Sequence, residues 1–557
     1  MPSRRRHSAH ILAATLIWQS GLAVCATAAV AAQDPPLTVR IAIDAAANRH
    51  PISPLIYGLS FATTQTLRAL RAPINRSGGN SASAYNWRLD ARNAGKDWYF
   101  ESLPVNPEDI NDQFGERFVA LTQAAGAVPM LTIPMLGRVA RLGADRKPLA
   151  SFSIVKYGPQ QSRDVRGLAD AGNGIAQNGE PIAGNDPNDA SVPHDPQDET
   201  GRIKELVSKF GAAGPRNERY YLMDNEPSLW QLIHRDIHPV GAHASEIAGK
   251  VIAYARAVKA ADPEARIVAP EEWGWQGYRY SGFDQQYAIA HGLDHPPDRE
   301  HETHGMDYVP WLLAQWKQAG HPIDVFSLHF YPQGGEYSET GAAETPAIEL
   351  SRNRSTRDLW DPDYKDPTWI NSVVALIPRM RKWVDTYYYP GTPIALTEYN
   401  WGADATMNGA TAQADLLGIF GREGLDIATR WGAPAPSTPV YKAFKLYRNY
   451  DGNGSAFGAT SIADAVPDPD QVASFAALRD GDGAMTVTVI NKQLDRAADV
   501  KFVLDHFADN GRAEAWQLAR NAIARLPDAA YAGGLLHATL PPQSVTLFVV
   551  RGAAMGG

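Results

Sequence analysis

The sequence predicts an α/β fold, a (β/α)8 TIM barrel with a second, smaller β-sandwich domain, and three observations support this. Short apolar runs typical of strands alternate with helical stretches between residues 61 and 450. These runs end in polar and aromatic residues, and no glycine-rich phosphate loop follows them, which argues against a nucleotide-binding fold. Beyond residue 450, apolar and polar residues alternate with the two-residue period of an antiparallel sheet.

The first 32 residues have the organisation of a signal peptide. The basic stretch Arg4–Arg6 precedes an apolar run, and small residues that suit a signal peptidase follow up to Ala32. A membrane anchor is the weaker interpretation, because Gln19, Ser20 and several alanines dilute the apolar run. We therefore predict a secreted or periplasmic protein that has no membrane attachment after the signal peptide is cleaved.

Three further segments are predicted to follow the signal peptide. Residues 33–60 contain the alternating stretch LTVRIAID and are expected to contribute a strand to the β-sandwich. Residues 61–450 are predicted to form the barrel. Residues 451–557, which include DGAMTVTVINKQ and SVTLFVV, are predicted to form the C-terminal β-sandwich.

The composition excludes several kinds of partner and chemistry. The chain of 557 residues is 44% hydrophobic and 20% charged, which is ordinary for a globular protein. Its net charge is -9 and its basic residues form no long stripe, so nucleic acid is not an expected partner. Cys25 is the only cysteine and lies in the predicted signal peptide, so the mature chain would have neither disulfides nor thiol chemistry. We predict a monomer.

Two glutamates stand at the ends of strand-like runs that are far apart in the sequence. Glu226 follows YYLM in the stretch DNEP, and Glu398 lies in LTEYNWG. Because the C-terminal strand ends of a barrel meet at one mouth, we expect the two carboxylates to face each other. Cleavage of a glycosidic bond uses such a pair, since one carboxyl protonates the departing oxygen while the other attacks the anomeric carbon or activates water. Either acid taken alone is equally consistent with a helix cap or an ion pair.

Polar and aromatic residues near these acids suit a sugar substrate. Asn225 is placed to hydrogen-bond a sugar 2-hydroxyl, and His329 and Tyr331 end another strand-like run, SLHFYP. A tyrosine hydroxyl beside a carboxylate would orient the carboxylate and keep it ionised. Tryptophans follow several strand ends and offer apolar faces on which sugar rings stack. The predicted sugar-binding tryptophans are Trp230, Trp401 and Trp431.

Two stretches raise the question of a bound metal. His234, Asp236, His238 and His243 are residue types that bind zinc, but their spacing matches no HExxH motif, so loop histidines without a metal are the preferred interpretation. Residues 170–196 are rich in Gly, Asn, Asp and Pro and are too long for a plain connection. Their oxygens suit a hard cation such as calcium, and a solvated surface loop is the alternative.

Several stretches, taken in order, resemble glycoside hydrolase family 44. They are RSGGNSASAYNWRLDARNAGKDWYF, AGNGIAQNGEPIAGNDPND, YLMDNEPSLWQLIHRDIHP, APEEWGWQGYRYSGFDQQ and LTEYNWG. The resemblance extends from around residue 37 to the C-terminus. It implies a (β/α)8 barrel whose β-sandwich is built from both ends of the chain. It also implies a secreted endo-β-1,4-glucanase or xyloglucanase that needs no organic cofactor.

The resemblance implies roles for individual residues as well. Glu226 would be the acid/base and Glu398 the nucleophile of a retaining mechanism, in which the two carboxyl groups lie about 5–5.5 Å apart. Glu226 must then carry a proton, so its pKa should be raised, while Glu398 stays ionised. The resemblance also implies a structural calcium ion near the insert, which comprises residues 170–196. Asp186 and Asp189 would be its ligands.

One residue departs from the family pattern. An aromatic residue is expected where this chain has Ser77, and its absence would alter one sugar subsite.

Our hypothesis is a secreted retaining endo-glycoside hydrolase that acts on a β-1,4-glucan polysaccharide, either cellulose-type glucan or xyloglucan. The alternatives are a barrel glycosidase that acts on mannan or xylan, and a carbohydrate-binding protein without catalytic activity.

Overall fold

Eight parallel strands form a closed barrel in the computed structural model, which describes residues 34–338 and 344–552. The predicted signal peptide lies outside the described residues. Each barrel strand pairs with the next one in the sequence and the eighth pairs with the first, which confirms the predicted fold class. In chain order the barrel strands, β1 to β8, are Gly58–Ser60, Ile74–Ser77, Val128–Ile133, Tyr220–Met223, Arg266–Glu272, Val325–Phe330, Ile394–Tyr399 and Ile427–Arg430.

The barrel strands are buried on both faces, which explains why their sequences are nearly continuous apolar runs. Every residue of β4, with the sequence YYLM, and of β7, with the sequence IALTEY, is buried. Polar and charged residues inside such strands need partners, because burying an unpaired polar group has a large free-energy cost. The apolar side chains that pack together inside the barrel are Ile74, Met130, Tyr220, Leu222, Val268, Val325, Ala395 and Ile427.

Helices connect the barrel strands, and local sequence signals start several of them. Asp195 accepts hydrogen bonds from the backbone N–H groups of Gln197 and Asp198 and forms a capping box at one helix start. None of the helices in the described part of the chain has the length and apolar character needed to cross a membrane. The α-helices of that part, α1 to α14, are Thr64–Leu70, Glu116–Ala124, Ile154–Tyr157, Pro196–Phe210, Trp230–Ile233, Ala244–Ala261, Trp275–Arg279, Gly282–His291, Pro297–His301, Tyr308–Gln318, Pro346–Ser355, Leu376–Tyr387, Met407–Arg422 and Pro439–Arg448. The 3-10 helices are Pro54–Tyr57, Asn80–Ala84, Gly95–Trp98, Ile110–Asp112, Ala144–Arg146, Pro187–Asp189, Pro227–Leu229 and Thr356–Leu359.

Two larger sheets form the β-sandwich and share a core that includes Ile41, Val487 and Phe502. The strand Leu37–Asp44 pairs in parallel with Ala498–Asp505, so the start of the described chain is built into the C-terminal domain. In spatial order the four-stranded sheet contains Ala463–Ala465, Leu37–Asp44, Ala498–Asp505 and Leu535–Leu540. The seven-stranded sheet contains His50–Pro51, Thr460–Ser461, Val472–Leu478, Met485–Asn491, Ser544–Gly552, Gly511–Ala519 and Ala522–Tyr531.

The first barrel strand begins at Gly58, before the predicted barrel boundary at residue 61. This strand has three residues, too few to display a sequence pattern. Gly58 is required there, because a Cβ atom would lie 2.3 Å from Cγ2 of Ile74 on the neighbouring strand. Two small sheets come from the long loops after β2 and β3, and their strands are Ala91–Asn93, Glu101–Pro104 and Leu149–Ala150 in one and Arg138–Ala140 and Ser191–Pro193 in the other.

Candidate active site

Glu226 and Glu398 lie at the carboxyl ends of two barrel strands. Glu226 follows β4 with a left-handed φ of 46° and directly precedes the 3-10 helix that begins at Pro227. Glu398 belongs to β7. One oxygen of Glu226 lies within 4.8 Å of one oxygen of Glu398, and the two side chains are 15% and 7% exposed. The fold therefore brings both predicted acids together in a nearly enclosed site.

His329, in β6, links the two acids to a third carboxylate. Its Nδ1–H donates to Oε1 of Glu226 at 2.9 Å, and Nδ1 lies 3.6 Å from Oε2 of Glu398. Its Nε2–H donates to Oε2 of Glu271 at 3.2 Å. Burial lowers the pKa of His329, but the charge of Glu398 and the contacts with the other two carboxylates outweigh burial and raise the pKa to about 10. The imidazole is therefore a cation at neutral pH and donates from both nitrogens.

Two donors hold the carboxylate of Glu398. Nη1 of Arg76 donates to Oε1 at 2.6 Å, and the hydroxyl of Tyr331 donates to Oε2 at 2.9 Å. Burial, followed by the charge of Glu398, raises the pKa of Tyr331 well above its usual range, so its hydroxyl keeps its proton. Short hydrogen bonds from a guanidinium and a phenol fix the orientation of the carboxyl group of Glu398.

Arg76 is a site residue that the sequence analysis did not select. It lies in β2, is fully buried, and donates through Nη2 to Oε2 of Glu271 at 3.2 Å and to Oδ1 of Asn225 at 3.3 Å. The sequence did contain a signal, since an arginine inside the strand-like run INRS must have a buried acidic or polar partner. The identity of that partner depends on which strands close the barrel.

Glu271 is the second site residue that the sequence patterns did not indicate. It lies in β5, is fully buried, and accepts hydrogen bonds from the hydroxyls of Ser327 and Thr397. Burial opposes the charge on Glu271, but His329 and Arg76 outweigh burial and lower its pKa. Glu271 is therefore the fixed counter-charge of both cations in the site.

Glu226 lies in surroundings that favour its protonated form. Burial raises the pKa of Glu226, and the charge of Glu398 adds to the rise, whereas the cation of His329 opposes it. The nearby Glu272 accepts from the backbone N–H and the hydroxyl of Ser228, and burial raises its pKa to about 8. Glu226 is thus disposed to carry a proton, whereas Arg76 and Tyr331 each donate to one oxygen of Glu398.

Asn225 is buried beside the acid pair. Its Oδ1 accepts from Arg76, and its Nδ2 donates to Oδ1 of Asn80 at 3.1 Å, which fixes the orientation of the amide. The residue is 3% exposed. Its place in the chain, directly before Glu226, remains consistent with the predicted contact to a sugar hydroxyl.

The predicted sugar-stacking roles of Trp230 and Trp401 are wrong, because both rings are buried. Trp230 is 1% exposed, and its Nε1–H donates to Oδ1 of Asp224 at 3.2 Å. Trp401 is 2% exposed, and its Nε1–H donates to the hydroxyl of Ser355 at 3.0 Å. Neither ring has a free face on which a sugar could stack. Both are core residues that support the loops beside the acids.

Trp431 and Trp369 have exposed ring surface and are better candidates for the aromatic lining of the barrel mouth. Trp431, directly after β8, is half-buried, and its ring lies 5.9 Å from the guanidinium of Arg76. Trp369 is 52% exposed, and its Nε1–H donates to Oε1 of Gln333, two residues after Tyr331. Trp431 was predicted and Trp369 was not, since Trp369 lies in a loop remote from any strand end.

Ser77, where an aromatic residue was expected, faces away from solvent. It is 1% exposed, and its hydroxyl donates to the backbone carbonyl of Gln113 at 2.8 Å. This position therefore offers no exposed surface to a sugar.

The predicted aspartates of the insert do not fit a calcium ion. Both oxygens of Asp189 lie on Nζ of Lys156, at 2.6 and 2.7 Å, and one also accepts from the hydroxyl of Tyr157. Oδ1 of Asp186 accepts from the backbone N–H of Asn188, and its Oδ2 lies 3.9 Å from the same lysine. The ammonium group of Lys156 occupies the position that a metal ion between these carboxylates would take.

A buried carboxyl pair close to the insert fits a cation better. Glu101 is 1% exposed, and its Oε1 has no hydrogen-bond donor in the described part of the chain. Asp164, also 1% exposed, lies within hydrogen-bond reach of Glu101. Burial, followed by the charge of Asp164, raises the pKa of Glu101 to about 8. A hard cation would satisfy the unpartnered oxygen.

The histidines that follow Glu226 do not form a common site. His234 is buried, and neither of its nitrogens has a hydrogen-bond partner among the residues that the structure describes, whereas Nε2 of His238 binds Oε1 of Glu246. His243 lies instead beside Asp298 and Glu302. The three histidines therefore have different neighbours, and the interpretation that they bind no metal stays a prediction.

Two facing carboxyl groups at the mouth of a (β/α)8 barrel, one disposed to carry a proton and one bound by an arginine and a tyrosine, define the site of a glycoside hydrolase. The chain belongs to glycoside hydrolase family 44. The sequence pattern of that family matches residues 91–334. CelM2, a bifunctional glucanase-xylanase protein from a metagenome library, is 52% identical, with a TM-score of 0.90 over 94% of this chain and 100% of CelM2.

Further relatives agree with this assignment. A family 44 xyloglucanase from Paenibacillus polymyxa is 27% identical, with a TM-score of 0.75 over 92% of this chain and all of that one. Endoglucanase A of Paenibacillus lautus is 31% identical over 490 residues, and Beta-mannanase/endoglucanase A of Caldicellulosiruptor saccharolyticus is 28% identical over 521 residues. The matches cover 84% and 87% of this chain but only 65% and 36% of the length of these two curated relatives.

Proposed function

We propose that this protein is a retaining endo-glycoside hydrolase that cleaves internal β-1,4-glucosidic bonds of cellulose-type glucan or xyloglucan. The observation that carries the proposal is the approach of one oxygen of Glu226 to within 4.8 Å of one oxygen of Glu398. Retaining enzymes hold their carboxyl groups about 5–5.5 Å apart, whereas inverting enzymes need about 6.5–9.5 Å to place a water molecule between them.

In the first step, Glu398 attacks the anomeric carbon while Glu226 gives its proton to the departing glycosidic oxygen. Burial supplies the raised pKa that Glu226 needs for this role. Arg76 and Tyr331 each hold one oxygen of Glu398, so the attacking carboxylate cannot rotate freely. The product of the step is a glycosyl ester on Glu398.

In the second step, Glu226 removes a proton from the water that hydrolyses the ester. Esterification removes the negative charge of Glu398, which is one cause of the raised pKa of Glu226. The cation of His329 remains 2.9 Å from Glu226 and favours its ionised form. The loss of the negative charge of Glu398 therefore lowers the pKa of Glu226, and Glu226 can then act as the base.

The substrate assignment rests on the relatives and on the lining of the mouth. Their names include glucanase, xyloglucanase and endoglucanase activities, and the half-buried ring of Trp431 near Arg76 supports stacking with a sugar ring. Xylan is the second candidate, because the relative that is 52% identical is described as a bifunctional glucanase-xylanase. Mannan follows from the more distant mannanase/endoglucanase.

Three further properties belong to the proposal. The signal-peptide pattern of residues 1–32 supports export from the cytoplasm. The monomeric state predicted from the sequence stays part of the proposal. A structural calcium ion near the insert would bind Glu101 and Asp164 rather than the aspartates paired with Lys156, and it would take no part in the chemistry.

Reducing-end release tests the activity. Wild type is assayed on carboxymethyl-cellulose, tamarind xyloglucan and xylan beside Glu398→Ala, and proton NMR follows the anomer that forms first. We expect release by wild type alone, with the β-anomer appearing before mutarotation. Initial formation of the α-anomer would refute the retaining mechanism. Retained sugar affinity without hydrolysis in wild type would favour a binding protein.

A further inference from the structure

A second pair of buried carboxyl groups lies outside the acid network. Asp358 belongs to the 3-10 helix Thr356–Leu359, and Asp366 lies in the loop that follows. They are 0% and 2% exposed, and their carboxyl groups lie within hydrogen-bond reach of each other. Within residues 34–338 and 344–552, neither oxygen of Asp358 has a hydrogen-bond donor. Burying a carboxyl group without a donor or a counter-charge is costly, so a bound cation would stabilise it.

The surroundings of this pair add negative charge. Oδ1 of Asp366 accepts from both the backbone N–H and the hydroxyl of Thr368, so this carboxyl group has donors of its own. Glu336, 1% exposed, also acts electrostatically on Asp358. Among the described residues, no lysine, arginine or histidine forms an ion pair with Asp358 or Asp366. The closest arginine in sequence, Arg357, pairs instead with Asp361 and Asp470.

We propose that Asp358 and Asp366 bind a hard divalent cation of the calcium type. A cation satisfies both oxygens of Asp358 at once, and oxygen ligands are what calcium prefers. A proton shared between the two carboxyl groups is the competing explanation. A shared proton engages only one oxygen of Asp358 and leaves the other buried without a partner. The charge of Glu336 further favours a cation over a neutral pair.

A cation bound by Asp358 and Asp366 would hold a loop in place near the barrel mouth. The loop between the 3-10 helix and α12 carries the exposed Trp369, whose indole is hydrogen-bonded to Gln333. Gln333 in turn donates to the backbone carbonyl of Tyr331, which contacts Glu398. Loss of the cation should raise KM for a polysaccharide while kcat stays within about twofold, an expectation that rests on the proposed function.

The test uses the mature protein after treatment with EDTA. Calcium binding is measured by titration calorimetry and by the rise in Tm, and terbium luminescence is measured as a second probe, since Tyr364 and Trp360 lie in or beside the same loop. Asp358→Asn keeps the size of the side chain and removes its charge. Glu101→Gln is the matched control, because it removes a ligand of the other proposed calcium position.

We expect Asp358→Asn to weaken one calcium-binding event at least tenfold, and Glu101→Gln to leave that event unchanged. No calcium or terbium binding by wild type, or identical binding by Asp358→Asn, would overturn the proposal. A higher Tm of Asp358→Asn in EDTA and in calcium alike would establish the shared proton instead.

A crystallographic measurement keeps the inference testable if Asp358→Asn fails to fold. Wild-type crystals soaked in terbium should show an anomalous peak between Asp358 and Asp366. The absence of a peak there, at a terbium concentration that saturates luminescence, would refute the site. Calcium binding without hydrolysis of any polysaccharide would support the cation site and count against the proposed enzymatic function alone.

Discussion

Replacing the cation beside the acid/base tests the proposed mechanism most directly. His329 donates from Nδ1 to Glu226 at 2.9 Å and carries a positive charge, since its pKa is about 10. In His329→Asn the amide retains a donor but not the charge. Because His329 lowers the pKa of Glu226, its removal should raise that pKa. The alkaline limb of the pH profile for kcat/KM should therefore move to higher pH.

The magnitude follows from the geometry. Two unit charges 4 Å apart interact by roughly 4 kcal/mol at an effective dielectric constant of 20, which equals about 3 pH units at 1.36 kcal/mol per unit. The cation of Arg76 remains and continues to favour the ionised form of Glu226. We therefore expect the alkaline limb to move upward by about 1–2 pH units.

The assay measures kcat/KM against pH on an aryl β-cellobioside whose phenol is a poor leaving group and needs the proton of Glu226. His234→Asn is the matched control, because His234 is equally buried but uncharged, its pKa being lowered by burial to about 4. The control should keep the wild-type limb. An alkaline limb of His329→Asn that stays in place or moves to lower pH, in a variant with unchanged circular dichroism, would refute the charge argument.

Three other substitutions separate the roles of neighbouring residues. Glu271→Gln removes the counter-charge of two buried cations, so we expect a loss of about 3–5 kcal/mol in the free energy of unfolding. The pKa of His329, measured by NMR, should also fall, and an unchanged pKa would contradict the assignment. Trp230→Ala should cost about 3–5 kcal/mol in urea unfolding, because the ring is buried. Trp369→Ala should change stability by at most about 0.5 kcal/mol yet raise KM for polysaccharide severalfold; an unchanged KM would remove Trp369 from the substrate path.

Local patterns were sufficient for the barrel and for the positions of its two acids. Strands buried on both faces must be apolar, so a charged residue such as Glu398 inside or after such a run is conspicuous in the sequence. Closure of the barrel then requires distant strand ends to meet. The fold class followed from these two facts, whereas the start of β1 at Gly58 did not, because a three-residue strand has no detectable period.

The errors arose where the direction of a side chain depends on distant parts of the chain. Trp230 is four residues after Glu226, yet the short helix that follows Pro227 turns its ring into the core, onto Asp224. Closeness in sequence to an acid therefore did not indicate exposure to substrate. Arg76 and Glu271 were missed for the complementary reason, since their partners come from other strands and become neighbours only after the barrel closes.

The charges of the site remain balanced through both proposed steps. Before the reaction, the cations of Arg76 and His329 are matched by the carboxylates of Glu271 and Glu398, while Glu226 is neutral. After glycosyl transfer, Glu398 is an uncharged ester, and ionisation of Glu226 restores the balance. Glu271 stays charged throughout because its hydrogen bonds favour the carboxylate. A buried site that keeps its net charge constant would avoid the cost of creating an unpaired charge in either proposed step, which accounts for a third carboxylate that contacts both Arg76 and His329.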